Sequence, residues 1–254
     1  MELLPRYRAI LQHVGRYRLT TREVLGRLLI PETGRKDQPK EQLARERRTK
    51  AGTALSRLHS FGLLNHHHHK SADYPAFPGN IPYFTLTAEG ARVAGVPAER
   101  AEEAGKASFG TEALERHLGA LWFCCMRANV SHRMEPDELV PLLGSHKFFD
   151  NVPHCITSGD SGIRIYRMYS PATSVTHTIQ QLRKQIDSLC TKPTLREWIE
   201  GREYGFAILA PETSMCSDIQ RMIRQSNLDE LADLVVALAP TPATYHEVAR
   251  AYET

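Results

Sequence analysis

The strongest structural signals in this chain lie between Gln42 and Gly90, and they leave few folds open. A helical run from about Gln42 to Phe61 puts Leu43, Arg47, Ala51, Ala54, Leu55 and Leu58 on one side, with Arg45, Arg48, Thr49, Gly52, Thr53 and Ser56 largely on the other. Gly62 ends it, and Leu63-Leu64-Asn65 start a strand at once. His66–Asn80 is polar and holds Pro75, Pro78 and Gly79, which predicts a loop or turn. Ile81–Leu86 (IPYFTL) reads as the returning strand, and Thr87-Ala88-Glu89-Gly90 caps a further helix.

Two helices precede this stretch. Tyr7, Ile10, Leu11, Val14 and Tyr17 recur at helical spacing within Pro5–Leu19. Thr20-Thr21-Arg22-Glu23 then has the form of a capping box, followed by the stripe Val24, Leu25, Leu28 and Leu29. Pro31 stops that helix, and residues 31–39 (PETGRKDQP) are polar and turn-forming. The expected order is helix, helix, basic helix, strand, loop, strand, helix.

Charge is distributed unevenly. Residues 1–70 carry 15 Lys and Arg (11 of them Arg) against 6 Asp and Glu, a net of +9. The remaining 184 residues carry 17 basic and 23 acidic groups, a net of −6. A basic amino-terminal quarter on a mildly acidic body predicts a polyanion-binding module joined to something else. The arginine fork suits phosphates and guanine edges. With 254 residues and 41% apolar content the chain is long enough for one large or two small cores, so global disorder is excluded. No run of eighteen apolar residues exists, and MELLPRYRAI lacks the apolar stretch of a secretory signal. Five cysteines without a CxxC pair read as reduced thiols, so a cytoplasmic protein is expected.

Tyr83-Phe84-Thr85-Leu86-Thr87-Ala88-Glu89-Gly90 resembles the YxLTxxG pattern that closes the wing of many winged helix-turn-helix DNA-binding proteins. Leu55–Leu64 (LSRLHSFGLL) is similar to the LxxLxxxGLL end of their recognition helix. The resemblance spans residues 1–95 and implies a double-stranded DNA partner. A helix fits the major groove, with base contacts from its exposed side and phosphate contacts from flanking cations. Arg45, Arg48, Thr49, Thr53 and Arg57 are the expected groove residues, with Arg35, Lys36 and Lys50 toward the backbone. His66–His69 and Lys70 fall at the wing, where His67, His68 and Lys70 are candidates for minor-groove or phosphate contact. Protonated imidazoles there would raise affinity at low pH. The histidine run has no Cys or carboxylate pattern to complete a metal site, so neither a metal nor a cofactor is expected.

A hinge is expected over 96–110 and a second domain over 111–254. Thr111 caps a helix with the stripe Leu114, Leu118, Leu121, Trp122 and Cys125. Strands follow at 155–157 and 163–169 around a turn, then a helix over 174–190 and a short one over 195–199. A strand at 204–210, a helix at 216–224, a strand at 233–239 and a helix at 245–252 complete the reading. Alternating strands and helices predict an α/β layer with a mixed sheet, α+β overall. This order resembles the restriction-endonuclease-like fold. With an amino-terminal winged helix, it resembles the replication-relaxation family of plasmids and conjugative elements.

Nucleases of that fold hold Mg²⁺ with an acidic residue after a proline on one strand and an acid and lysine on the next. Here His154 stands in the first position, after Pro153, and Tyr166 and Met168 stand in the later pair; Asp150 and Asp160 fall out of frame. The resemblance therefore implies a catalytically degenerate domain. Other chemistries are open at this point. They are a tyrosine nucleophile (Tyr166 or Tyr169, with His132, His146, His154 and His177 scattered), a Cys155–His177 pair, and a Mg²⁺ nuclease or relaxase using Asp137, Glu138, Asp150 or Asp160. Arg164, Arg167, Arg183 and Lys184 form a candidate second basic patch. The leading expectation is a non-enzymatic protein of a plasmid, phage or conjugative element, acting at an origin or regulatory site. It would be a homodimer, with a relaxase or replication protein as a further partner. A transcriptional regulator with a carboxyl-terminal sensing domain is the alternative.

Overall fold

The computed structural model describes residues 3–30, 39–69, 81–97, 109–127, 130–144, 149, 152–159, 162–171 and 174–252. Within them the chain is a mixture of helices and two sheets, of the α+β kind. It divides into two units, Met1–Leu121 with Thr241–Thr254, and Trp122–Pro240.

The first unit begins with α1 (Pro5–Tyr17), α2 (Arg22–Leu29) and α3 (Lys40–Ser60). An antiparallel hairpin of β1 (Leu64–His69) and β2 (Ile81–Leu86) follows, then α4 (Ala88–Ala94). Their inner sides share one core, which includes Leu11, Val14, Leu25, Leu55, Leu58, Leu64, Phe84 and Leu86. The end of α3 is set by its backbone hydrogen bonds. Gly62, at φ +70°, donates to the His59 carbonyl at 2.9 Å, and Leu63 donates to the Leu58 carbonyl at 3.0 Å. That paired closure favours a glycine in the left-handed region, and it turns the chain straight into β1. Thr87 Oγ1 then accepts from the Gly90 amide at 2.9 Å and donates to the Gly62 carbonyl at 2.7 Å, which ties the start of α4 to the end of α3. At Gly90 a methyl group would fall 1.9 Å from the Leu63 carbonyl oxygen, so only glycine lets α4 lie this close.

Three local expectations change. The Thr20–Glu23 capping box is replaced by a single cap, in which Thr21 Oγ1 accepts from the Val24 amide at 3.5 Å. Glu23 instead accepts a hydrogen bond from the hydroxyl of Tyr245. Thr20 exchanges two 2.9 Å backbone bonds with Phe84, adding a short third rung to the hairpin that the sequence pattern did not signal. His66–His69, expected in a loop, form most of β1. Cross-strand partners hold them there, although histidine has no marked strand preference of its own.

In the second unit the sheet order is β3-β4-β5-β6-β7, antiparallel from β3 to β5 and parallel from β5 to β7. Helix α5 (Thr111–Cys125) precedes β3 (Val130–Met134) and α6 (Pro136–Leu143), and β4 (His154–Gly159) and β5 (Gly162–Tyr169) follow. The parallel strands β6 (Tyr204–Ala210) and β7 (Asp233–Leu238) are each reached through helices: α7 (Val175–Cys190) and α8 (Pro193–Glu200) before β6, α9 (Thr213–Gln225) and α10 (Leu228–Leu231) before β7. Every residue of β6 is buried, as befits an inner parallel strand covered on both faces. Leu182, Ile186, Leu195, Ile199, Ile219, Phe206 and Ile208 belong to the core on this sheet. Sequence periodicity had not signalled β3, α6 or α10.

The final helix, α11 (Tyr245–Ala251), belongs to the first unit rather than to the expected 111–254 domain, as do residues 111–121. Tyr245 is 1% exposed and bonds to Glu23 of α2, which explains the placement of α11. Residues 98–108 of the expected hinge lie outside the described residues, while the Phe109 amide donates to Tyr83 Oη at 3.0 Å.

Candidate nucleic-acid interface

Helix α3 sorts its side chains by burial as its period requires. Leu43, Ala51, Ala54, Leu55 and Leu58 are buried, whereas Arg45, Arg48, Thr49, Lys50, Thr53, Ser56 and Arg57 are exposed. Arg47 turns inward as expected, and its Nε donates to the Ile30 carbonyl at the end of α2, 2.9 Å away. The middle of the open side holds Arg45, Thr49, Thr53 and Ser56, spaced by three or four residues. Thr49 and Thr53 each donate their hydroxyl hydrogen to the carbonyl four residues back, at 2.9 Å. What they present outward is therefore a methyl group and acceptor lone pairs, groups suited to a thymine methyl or an exocyclic amine. Arg45 has no ion pair among the described residues.

Gly52 needs no absent side chain for packing. A methyl there would lie 3.6 Å from Arg22 Nε, an ordinary contact, so neither close approach nor crowding requires glycine. That contact identifies a cation that sequence reasoning missed, Arg22 at the first turn of α2, beside the open side of α3. Its place in the capping segment was legible; its reach across to α3 depends on the tertiary packing.

On the hairpin the strand period separates the four histidines. His66 stacks on Phe84 at 4.5 Å, lies 4.4 Å from His68 and 6.2 Å from His59 of α3, and feels the charge of Arg22. His66 and His68 thus occupy the hairpin face turned to α3. His67 belongs to the opposite face, where it stacks on Tyr83 at 5.0 Å and hydrogen-bonds Thr85 Oγ1 at 2.9 Å. This two-residue alternation puts His67 and His68, both contact candidates, on opposite faces of the hairpin. Burial lowers the basicity of His67, and burial with neighbouring imidazoles and Arg22 lowers that of His66. Both rings resist the protonation that an acid-strengthened contact would need. Among the described residues no three His, Cys, Asp or Glu side chains converge to hold a metal ion.

The flanking cations divide. Lys50, expected on phosphates, pairs with Glu46 at 3.0 Å, an exposed pair that is weak in water. Arg57 sits on the flank of α3 next to α1, with Nη1 donating to Tyr7 Oη at 3.2 Å, rather than in the middle of the open side. Arg35, Lys36 and Lys70 lie outside the described residues.

In the second unit, His154 and Tyr166 belong to buried polar networks. His154 is 1% exposed; its Nδ1 lies 2.8 Å from the Val152 carbonyl, which can only accept, so Nε2 accepts from Tyr204 Oη at 3.0 Å. Burial, with help from the charge of Arg167, pushes the His154 pKa down to about 3, so the ring is neutral. Tyr166 Oη donates to Asp233 Oδ2 at 2.6 Å, and Arg164 Nη1 donates to the same oxygen at 2.9 Å. These groups meet across β6 because Gly205 is in register between Tyr166 and Asp233 and has no side chain. Burial and the Asp233 carboxylate push the Tyr166 pKa up to about 12, the wrong direction for a nucleophile. Tyr169 is also raised by burial and donates to Gln181 Oε1 at 3.2 Å.

Cys155 is buried in β4, whereas His177 is exposed on α7 and contacts Gln181. Glu138 accepts from the Glu135 amide at 2.8 Å and so caps α6 with Asp137 beside it. Asp150, Asp160 and His146 lie outside the described residues. The basic patch of four does not assemble. Arg164 and Arg167 are three apart on one strand and project to opposite faces, Arg164 is ion-paired with Asp233, and Arg167 is partly buried. Arg183 and Lys184 remain exposed on α7.

No family model, curated protein or solved structure matches this chain. Among the described residues no helix is long and apolar enough to cross a membrane.

Proposed function

We propose that the first unit is a winged-helix module that binds double-stranded DNA through α3, and that the protein acts without catalysis of its own at an origin or regulatory site of a mobile element. The observation that carries this reading is the open side of α3. Arg45, Arg48, Thr49 and Thr53 are exposed together, Arg22 lies alongside, and a hairpin brings His66 and His68 to the same side. An α-helix has the width of the major groove, and arginine and threonine are residues that read base edges there. The net charge of +9 over residues 1–70 favours a polyanion.

For the second unit, the mixed five-stranded sheet supports a restriction-endonuclease-like reading in which His154, Tyr166 and Met168 replace the metal-holding and catalytic side chains. A neutral buried imidazole and a hydroxyl bound to Asp233 make structural bonds there, which favours a role in dimerisation or in contact with a replication protein or relaxase. A single module of this kind reads few base pairs, so a homodimer on an inverted repeat follows naturally. The test is duplex binding by variants that leave the core intact. Arg45→Ala and Arg48→Ala should each weaken binding to a selected site by about 1–3 kcal/mol and narrow the preference over unrelated duplexes. Wild-type affinity and preference in both variants would remove α3 as the reading element.

A further inference from the structure

We propose that Arg6, Tyr7 and Arg57 form a clamp for one backbone phosphate of the bound duplex, on the α1 flank of α3 and apart from its base-reading side. This rests on the DNA-binding reading above and adds a contact that neither motif nor charge count identified.

The Tyr7 ring belongs to the core and the residue is 5% exposed, but its hydroxyl meets two surface guanidinium groups. Arg57 Nη1 donates to Tyr7 Oη at 3.2 Å, and Arg6 Nη2 donates to the same oxygen at 3.4 Å. A phenol oxygen offers two lone pairs and one O–H. Two guanidinium donors occupy its acceptor side, so the O–H is directed away from them. The Arg6 guanidinium also lies over the Tyr7 ring, 4.9 Å from its centre, which restrains its orientation.

Two cations 51 positions apart in the chain are thus held around one neutral oxygen, and neither pairs with a carboxylate among the described residues. Gathering like charges without a counter-ion is unfavourable unless an anion joins them. The first turn of α1 has no acidic residue, and the helix dipole there adds to the positive field. The pair also makes the Tyr7 hydroxyl easier to ionise than a free phenol, a sign of how positive the spot is. Two planar forks and one hydroxyl match the several oxygens of a tetrahedral phosphate better than the two of a carboxylate. Arg57 follows Thr53 by one turn, so a duplex seated on Thr49 and Thr53 brings its sugar-phosphate edge toward this flank.

The experiment is fluorescence anisotropy of the full chain on a labelled duplex across a salt series, with wild type, Arg6→Gln, Arg57→Gln, Tyr7→Phe and Arg48→Ala. Each of Arg6→Gln and Arg57→Gln is expected to weaken binding about tenfold, by the same factor on selected and unrelated duplexes. The slope of log affinity against log salt should shrink by about 1 in each. Tyr7→Phe, which keeps the buried ring, should bind more weakly than wild type at an unchanged melting temperature. Unchanged affinity and slope in both arginine variants, with Arg48→Ala weakened, overturns the clamp and leaves the reading of α3 intact. A wild-type chain that binds no duplex overturns both.

Discussion

Several single residues fix this architecture, and the two glycines at 52 and 90 show how differently the same residue type can act. A methyl at Gly90 would overlap the Leu63 carbonyl oxygen at 1.9 Å, and neither backbone can move without parting α4 from the hairpin. Gly90→Ala should therefore lower stability by several kcal/mol, within the range set by severe core strain. Gly52 is helical, and a methyl there meets only the Arg22 side chain at contact distance. Gly52→Ala should leave the fold intact and stabilise it by up to about 1 kcal/mol through helix propensity. Thermal unfolding of the two variants beside wild type checks both; equal melting temperatures for all three would mean that the closeness of Gly90 to Leu63 does not govern α4.

At the level of elements, the second sheet predicts a pH response. His154 of β4 is buried and neutral, with its pKa pushed down to about 3, whereas an unfolded histidine titrates near 6.5. Between those values the unfolded chain binds a proton that the folded chain refuses. Stability is then complete above about pH 6.5 and declines as pH falls toward 3, by about 1.4 kcal/mol per pH unit for this one group. Replacing His154 with Gln should flatten that decline in a denaturant titration run from pH 7 to pH 4.5. An identical decline in wild type and His154→Gln would mean that another group governs it. In the first unit, His13 behaves in the same sense, held down to about 4 by burial.

How much of these elements was legible depended on whether the signal was local. Helices α1 to α3 and strand β2 follow from apolar spacing, and Gly62 and Thr87 act where local chemistry predicted. The start of strand β1 at Leu64 and Asn65 was legible, but its continuation was hidden because the next residues are four histidines, polar in composition; their strand conformation comes from pairing with Ile81–Leu86. The same limit applied to Arg57, assigned to the groove by its place on α3, because Tyr7 lies 50 positions earlier in the chain. Arg22 was hidden for the same reason. In the second unit, the register that sets Gly205 between Tyr166 and Asp233 could not be read before the strand order was known.

On the scale of the whole molecule, one chain joins a strongly basic amino-terminal segment to a longer acidic remainder, +9 over residues 1–70 and −6 beyond. Such a distribution favours association with a polyanion through the amino-terminal segment. The most direct measurement is binding of the intact protein to duplex DNA over a range of salt concentrations. The account predicts tight binding at low ionic strength and a log–log slope of about −3 to −5, the signature of several phosphates neutralised by the arginines around α3. A chain that bound no duplex at low ionic strength, or whose affinity did not change with salt, would contradict it.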